Sequence, residues 1–252
     1  LALLPTHGLP VLIGCGLLQG LSVALYEISY LVGFSKVRHS DFVGKELGYM
    51  YMLERATAGL SPLIGGLIAY FFGPEATLIA AAVVFALAAG PLFFSPESVK
   101  VHQQVSYHGL PWRQLRGQLM AEFGVGVDFM TSSAISAIFV GLAVFGLESD
   151  VVYAQLGVLA SVTLLAAFAA AKIFGAVVDH RRGRQLLRTG VAADAILHLL
   201  RPFVTTPMGV LLINIGNQTA TTAYAIPFTK GLFDQADALP GYRIIYMSVM
   251  SC

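Results

Sequence analysis

Asp194 and His198 stand four residues apart, with Arg201 three further on. On a helix that spacing places a carboxylate, an imidazole and a guanidinium along one stripe. Such a stripe can relay a proton, because histidine titrates near neutrality, or it can form a buried network that only holds helices together. A second stripe, Asn214, Asn217 and Gln218, leads into Thr219, Thr221, Thr222, Tyr224 and Pro227. It offers donors and acceptors to a solute or to neighbouring helices, and Pro227 is expected to interrupt its helix. Asp128 precedes Thr131, Ser132 and Ser133, hydroxyls that line water or hydrogen-bond across helices. Glu27 lies between Tyr26 and Tyr30, a combination suited to a polar cavity or to an interfacial acid pairing with Lys36 or Arg38. Glu122, near the start of its apolar block, reads as an interfacial salt-bridge partner, and Lys172 as a cation that snorkels to the interface.

These side chains do not form an enzyme's usual constellation. The sequence has no phosphate-binding glycine loop, zinc-ligand spacing or nucleophile triad. His102 and His108 lack accompanying ligands, and Cys15 and Cys252 define neither a disulfide framework nor a metal cluster. No metal or other cofactor is expected, and a net charge of +1 leaves no footprint for nucleic acid. A membrane enzyme centred on Asp128 or on Asp194 and His198, and a channel, are the alternatives from other functional classes.

The elements that position these residues follow from composition. Hydrophobic residues make up 56% of the chain and charged residues 12%, with mean hydropathy +0.75. That is too apolar for a surface facing water. Several apolar blocks run for about eighteen residues or more, enough to cross about 30 Å of hydrocarbon as helix. They are too long and continuous for barrel strands. Seven spans are expected at 8–34, 48–72, 75–94, 118–146, 151–178, 186–201 and 207–229, with an eighth beginning near Tyr242. Twelve of the fifteen Lys and Arg residues fall on alternate connections: Lys36, Arg38, Lys45, Lys100, Arg113, Arg116, Arg181, Arg182, Arg184, Arg188, Lys230 and Arg243. The positive-inside rule makes that side cytoplasmic and places Leu1 outside. Segment 95–117 becomes a cytoplasmic loop in a plasma or bacterial inner membrane.

Three motifs carry a family resemblance. Gly175-Ala-Val-Val-Asp179-His-Arg-Arg-Gly183-Arg184 joins the fifth and sixth spans. Gly175 permits close approach, Asp179 can accept hydrogen bonds from a neighbouring helix's first amides or pair with arginine, and Gly183 permits a tight turn. In the second span Gly59-Leu-Ser-Pro62-Leu-Ile-Gly65-Gly66 combines a bend with small packing surfaces. In the first, Gly16 and Gly20 share a face. Together these stretches resemble the major facilitator superfamily of twelve-helix secondary transporters. The first is similar to its cytoplasmic glycine–aspartate–glycine loop, with three residues rather than the family's usual two between the aspartate and the second glycine. The second is similar to its fifth helix, especially in exporters. The third is similar to its fourth helix, with Gly16 where proton-linked exporters often carry arginine.

The resemblance implies an all-α polytopic membrane bundle, a partial twelve-helix fold running from the family's fourth helix to the start of its eleventh. Residues 1–94 would end one helical bundle, 95–117 would link, and 118–252 would begin the second. A chain starting at Leu1 without a basic leader reads as truncated at both ends. The implied function is secondary active transport of a small solute by alternating access, with export and proton or sodium coupling open. Glu27, Asp128, Asp194, His198, Asn214, Asn217 and Gln218 are the substrate or coupling candidates. Gly175, Asp179, Gly183 and Arg184 form the expected latch, with Gly59, Pro62, Gly65 and Gly66 as packing and gating residues. The orientation is testable. In intact cells carrying the protein with Cys15 and Cys252 replaced by serine, Arg182→Cys is expected to resist an impermeant maleimide until the membrane is permeabilised. Stronger labelling from outside reverses the topology.

Overall fold

Backbone groups in hydrocarbon have no water to bond, so an apolar chain closes its hydrogen bonds within helices. The computed structural model does this throughout the residues it describes: 9–37, 42–94, 110–145, 152–239 and 241–250. The order is α1 (Leu9–Val37), α2 (Val43–Phe72), α3 (Pro74–Phe94) and α4 (Trp112–Met130). The last continues through a π turn at Thr131–Ile135, α5 (Ser136–Val140) and a π turn at Gly141–Phe145. Then come α6 (Val152–Val177), a π turn at Val178–Arg182, α7 (Gly183–Leu200), a 3-10 turn at Arg201–Phe203, α8 (Pro207–Asp237) and α9 (Arg243–Met250). No strand occurs among the described residues.

Gly16–Phe34, Leu115–Val140 and Gln155–His180 are long and apolar enough to cross a bilayer, and Pro74–Ala88 is a shorter apolar stretch. Large apolar side chains such as Leu17, Phe85, Phe123, Ile173 and Leu199 lie exposed. Hydrocarbon removes the penalty that water would impose on such a surface. Helices α2 and α8, of 30 and 31 residues, have the length to span but carry polar groups within it.

Contacts divide the chain into two compact units. The first comprises Leu1–Val37, Pro74–Phe129 and Phe233–Cys252. Here α1 meets α9, Phe34 packs against Phe233 with ring centroids 5.7 Å apart, and the Tyr246 hydroxyl donates to Gln118 Oε1 at 3.1 Å. The shared face of Gly16 and Gly20 is not a packing face among the described residues: a Cβ at either position meets nothing within 4 Å.

The second unit, Arg38–Gly73 with Met130–Leu232, is built around an antiparallel pair, α2 and α6. Its spacing is set by glycine. A Cβ at Gly44 would come within 2.6 Å of the Gly175 carbonyl oxygen, and one at Gly175 within 2.6 Å of the Gly44 oxygen. Gly48 faces Ala171 and Gly175, Gly59 faces Leu164 and Leu165, and Gly157 faces Pro62 and Gly66. Backbones this close gain dispersion along the whole contact, the main attraction available between helices in lipid. Helices α7 and α8 repeat the device: a Cβ at Gly190 would lie 2.8 Å from the Tyr224 amide nitrogen. Tyr51 of α2 and Thr229 of α8 share a hydroxyl hydrogen bond at 3.1 Å.

Several expected boundaries move. The second span begins at Val43 rather than 48, and the fourth at Trp112 rather than 118. The expected turn at Gly183 is absent: this residue is helical, with φ −55° and ψ −39°, and the chain passes from α6 to α7 through the π turn. Pro227 does not end its helix either, since α8 continues to Asp237. Positive φ among the described glycines is confined to Gly73 and Gly241. The loop histidines, residues 95–109 of the expected linker, and Glu148 to Asp150 lie outside the described residues.

The α2–α6 contact leaves no space for a methyl group. Gly44→Ala and Gly175→Ala are expected to destabilise the protein by about 1–3 kcal/mol each, while Gly16→Ala is expected to be neutral or slightly stabilising. Equilibrium unfolding in mixed detergent micelles measures the difference.

Candidate functional site

Two polar constructions stand inside the second unit. The first begins at the N-terminus of α2, where the opening amides have no intrahelical partners. Phe42 occupies the N-cap and has no side-chain oxygen to offer. Its carbonyl accepts from the Glu46 amide at 3.0 Å, but Gly44 and Lys45 need another acceptor. Asp179, at the α6 end of the π turn, supplies it. Its Oδ1 accepts from the Gly44 amide at 2.7 Å and its Oδ2 from the Lys45 amide at 2.9 Å. A local capping residue would serve these same two positions; here the cap comes from 135 residues away. The carboxylate also faces the positive end of the helix dipole, so hydrogen bonding and charge act together. Gly44 and Gly175 admit it, for a Cβ at Gly44 would sit 2.5 Å from Asp179 Oδ1. Arg184 is exposed, and the interaction shown for Asp179 is the capping of the α2 amides.

The second construction joins two stripes that are separate in the sequence. Asp194 and Asn217 are buried, at 6% and 2% exposure. Asn217 Nδ2 donates to Asp194 Oδ1 at 2.5 Å and lies 3.4 Å from His198 Nε2. Its Oδ1 accepts from Ser132 Oγ at 3.1 Å and Arg201 Nη2 at 3.2 Å. The carboxylate fixes the amide's orientation, because only the NH2 end can donate to it. Arg201 Nη2 also reaches Asn214 Oδ1 at 3.3 Å. His198 Nε2 stands 3.6 Å from Asp194 Oδ2 and 3.5 Å from Ser132 Oγ. Whether that nitrogen donates or accepts in these contacts depends on the ring tautomer.

Ser132 reaches the cluster from the π turn after α4, where the Ser136 amide bonds back to the Thr131 carbonyl. Gln218 is on α8; its backbone carbonyl accepts from Thr222 Oγ1 at 2.7 Å, and its own Oε1 is buried without a hydrogen-bond partner among the described residues. Asp128 is partly buried on α4 and Glu27 is exposed on α1, both in the first unit. Tyr26 and Tyr30, on either side of Glu27, stack on each other with centroids 5.9 Å apart. Lys172 is exposed on α6. Gly59, Pro62 and Gly66 take part in the α2–α6 contact, and Gly65 lies beside them on α2. Sequence reasoning gave no role to Arg55 of α2, whose Nε is buried and lacks a hydrogen-bond partner among the described residues. A cation inside an expected span was the available signal.

A family model described as Major Facilitator Superfamily matches residues 1–230. Among curated proteins and among solved structures, nothing matches the chain.

The asparagine cluster makes a graded stability test. Asn217→Ala removes the donor to a buried carboxylate and the acceptor for two groups, so it is expected to cost about 1–3 kcal/mol. Asn214→Ala removes one bond to Arg201 and is expected to cost under about 1 kcal/mol. Unfolding of the two variants side by side checks the ranking.

Proposed function

We propose that this chain, which belongs to the major facilitator superfamily and is part of a membrane transporter, moves a small solute by alternating access with Asp179 as a conformational latch. The observation that carries this reading is the Asp179 carboxylate bound to the Gly44 and Lys45 amides. It ties the cytoplasmic end of α2 to the junction of α6 and α7. In the two-bundle organisation, with 1–94 and 118–252 on either side of 95–117, that tie runs from one half to the other. A carboxylate seated on two amides is either fully engaged or released to water, which suits a two-state element. The glycine-lined α2–α6 pair, with Pro62 inside α2, is the surface on which the halves rock, and Gly59, Gly65 and Gly66 are its gating residues. Gly183 and Arg184 complete the latch segment on the cytoplasmic face of a plasma or bacterial inner membrane.

Within the second unit, Asp194, His198, Asn214, Asn217 and Gln218 are the residues that meet the solute or its coupling ion, and Glu27 and Asp128 of the first unit are separate candidates for the same roles. The resemblance of the Gly59–Gly66 motif to exporters favours efflux. The carboxylate–imidazole pair Asp194 and His198 favours the proton over sodium as coupling ion, because histidine changes charge near neutral pH. No catalytic step is assigned to these residues.

The test is Asp179→Asn in the intact transporter reconstituted in vesicles. The substitution keeps size and one acceptor oxygen while removing charge. It is expected to leave insertion largely intact, shift inward and outward accessibility of engineered cysteines, and lower turnover. Unchanged accessibility and flux in properly inserted protein would remove the latch from the mechanism.

A further inference from the structure

Pro62 stands inside α2 without ending it. Having no amide hydrogen, it leaves the carbonyl four residues earlier, that of Ala58, without its helical donor. In hydrocarbon a freed carbonyl must find another, and serine or threonine hydroxyls are the usual source. The donor Ala58 has is local: Ser61 Oγ, on an exposed side of α2, reaches its carbonyl oxygen at 3.3 Å. That is long beside the roughly 2.5–3.0 Å of a well-made hydroxyl bond.

A second hydroxyl lies on α6. Ser161 is 4% exposed, and its Oγ is buried without a hydrogen-bond partner among the described residues. Thr163 on the same helix bonds the carbonyl of Leu159, four residues behind it, at 2.7 Å, which is the ordinary refuge of a helical hydroxyl. Ser161 leaves that refuge unused. The antiparallel register fixes what it faces. A Cβ at Gly175 would come within 2.6 Å of the Gly44 carbonyl oxygen, and one at Gly157 within 2.6 Å of the Pro62 oxygen. Eighteen residues up α2 from Gly44 to Pro62 thus match eighteen down α6 from Gly175 to Gly157. One turn back from Pro62 is Ala58, and one turn on from Gly157 is Ser161. The freed carbonyl and the unused hydroxyl therefore fall at the same level of the α2–α6 contact.

We infer that the Ala58 carbonyl is handed between two serines as the transporter changes state: Ser61 holds it in the conformation described, and Ser161 takes it when α2 bends further at Pro62. The proline ring crowds that same carbonyl and tilts it away from the helix, so the degree of bend sets which hydroxyl it meets. Either serine satisfies the carbonyl at one end of the motion, while a half-bent helix offers it neither, and this favours two discrete arrangements over a continuum. The handover needs no cavity, because it turns one carbonyl between helices already in backbone contact. It rests on the reading of the chain as an alternating-access transporter and adds to it the bond that sets the bend of α2.

The test measures the ratio of inward to outward labelling of engineered cysteines at the two membrane faces, in the intact transporter in vesicles with Cys15 and Cys252 replaced by serine. Ser161→Ala removes the donor of the bent state and is expected to move the ratio about two- to tenfold in one direction, the worth of one hydrogen bond. Ser61→Ala removes the donor of the conformation described and is expected to move it by a similar factor in the other direction. Pro62→Ala returns a helical amide to Ala58, and in that background both serine substitutions are expected to leave the ratio unchanged. Shifts in the same direction, a silent Ser161→Ala, or a Ser161→Ala shift that persists with Pro62→Ala overturns the inference. A serine that only fills space alters unfolding stability without moving the ratio. Opposed serine shifts beside a silent Asp179→Asn keep the handover and remove the latch, and the reverse pattern keeps the latch and removes the handover. Labelling confined to one face in every variant, wild type included, overturns alternating access and the handover with it.

Discussion

Helix α2 starts without a capping side chain of its own, and the carboxylate that satisfies its first amides belongs to a residue 135 positions away. Much of the second unit depends on that arrangement. A carboxylate can reach two adjacent amides at 2.7 and 2.9 Å only if the helix bringing it approaches backbone to backbone. Gly44 and Gly175 are the residues that allow this. Once the two helices meet there, the same contact continues through Gly48, Gly59 and Gly157 to the far end. Electrostatic capping fixes the register, and glycine packing extends it. Neither alone is strong, since caps contribute on the order of 1 kcal/mol and helix association in lipid lacks a hydrophobic drive.

The polar cluster obeys a different constraint. A buried amide must use its groups or waste their solvation. Asn217 meets this by serving Asp194, His198, Ser132 and Arg201 together. Any one partner that moves therefore disturbs the rest, and networks of this kind respond as units. The shared bonding also explains why Asp194 is tolerated at 6% exposure.

The helices were legible in sequence because hydrocarbon imposes one solution on long apolar blocks, and each expected span corresponds to a described helix. Boundaries were less legible: α2 begins at Val43, ahead of its apolar run, because its first turn is stabilised by Asp179 rather than by local residues. The chemistry of Asp179 could be read, including its affinity for helix amides, but its partner helix could not. Asp194, His198, Asn214 and Asn217 were each visible as polar residues in apolar blocks. Their union needs the packing of α7 on α8, set by Gly190 against Tyr224, which spacing along the chain does not encode. Gly16 and Gly20 show the converse, a packing pattern with no packed neighbour among the described residues.

Between Asp179 and Gly183 stand three residues where the family's usual pattern has two, and the structure places a π turn over Val178–Arg182. A turn closed by i→i+5 bonds holds one residue more than an α turn. The surplus is thus absorbed within the helical path instead of being expelled as a loop. Asp179 stays seated on α2 while Gly183, on the far side, faces Pro227, which a Cβ at that position would meet at 3.5 Å. The π turn acts as a phase adjuster between two fixed docking points, so a change in chain length here is tolerated by altering helical winding while both neighbouring contacts keep their alignment.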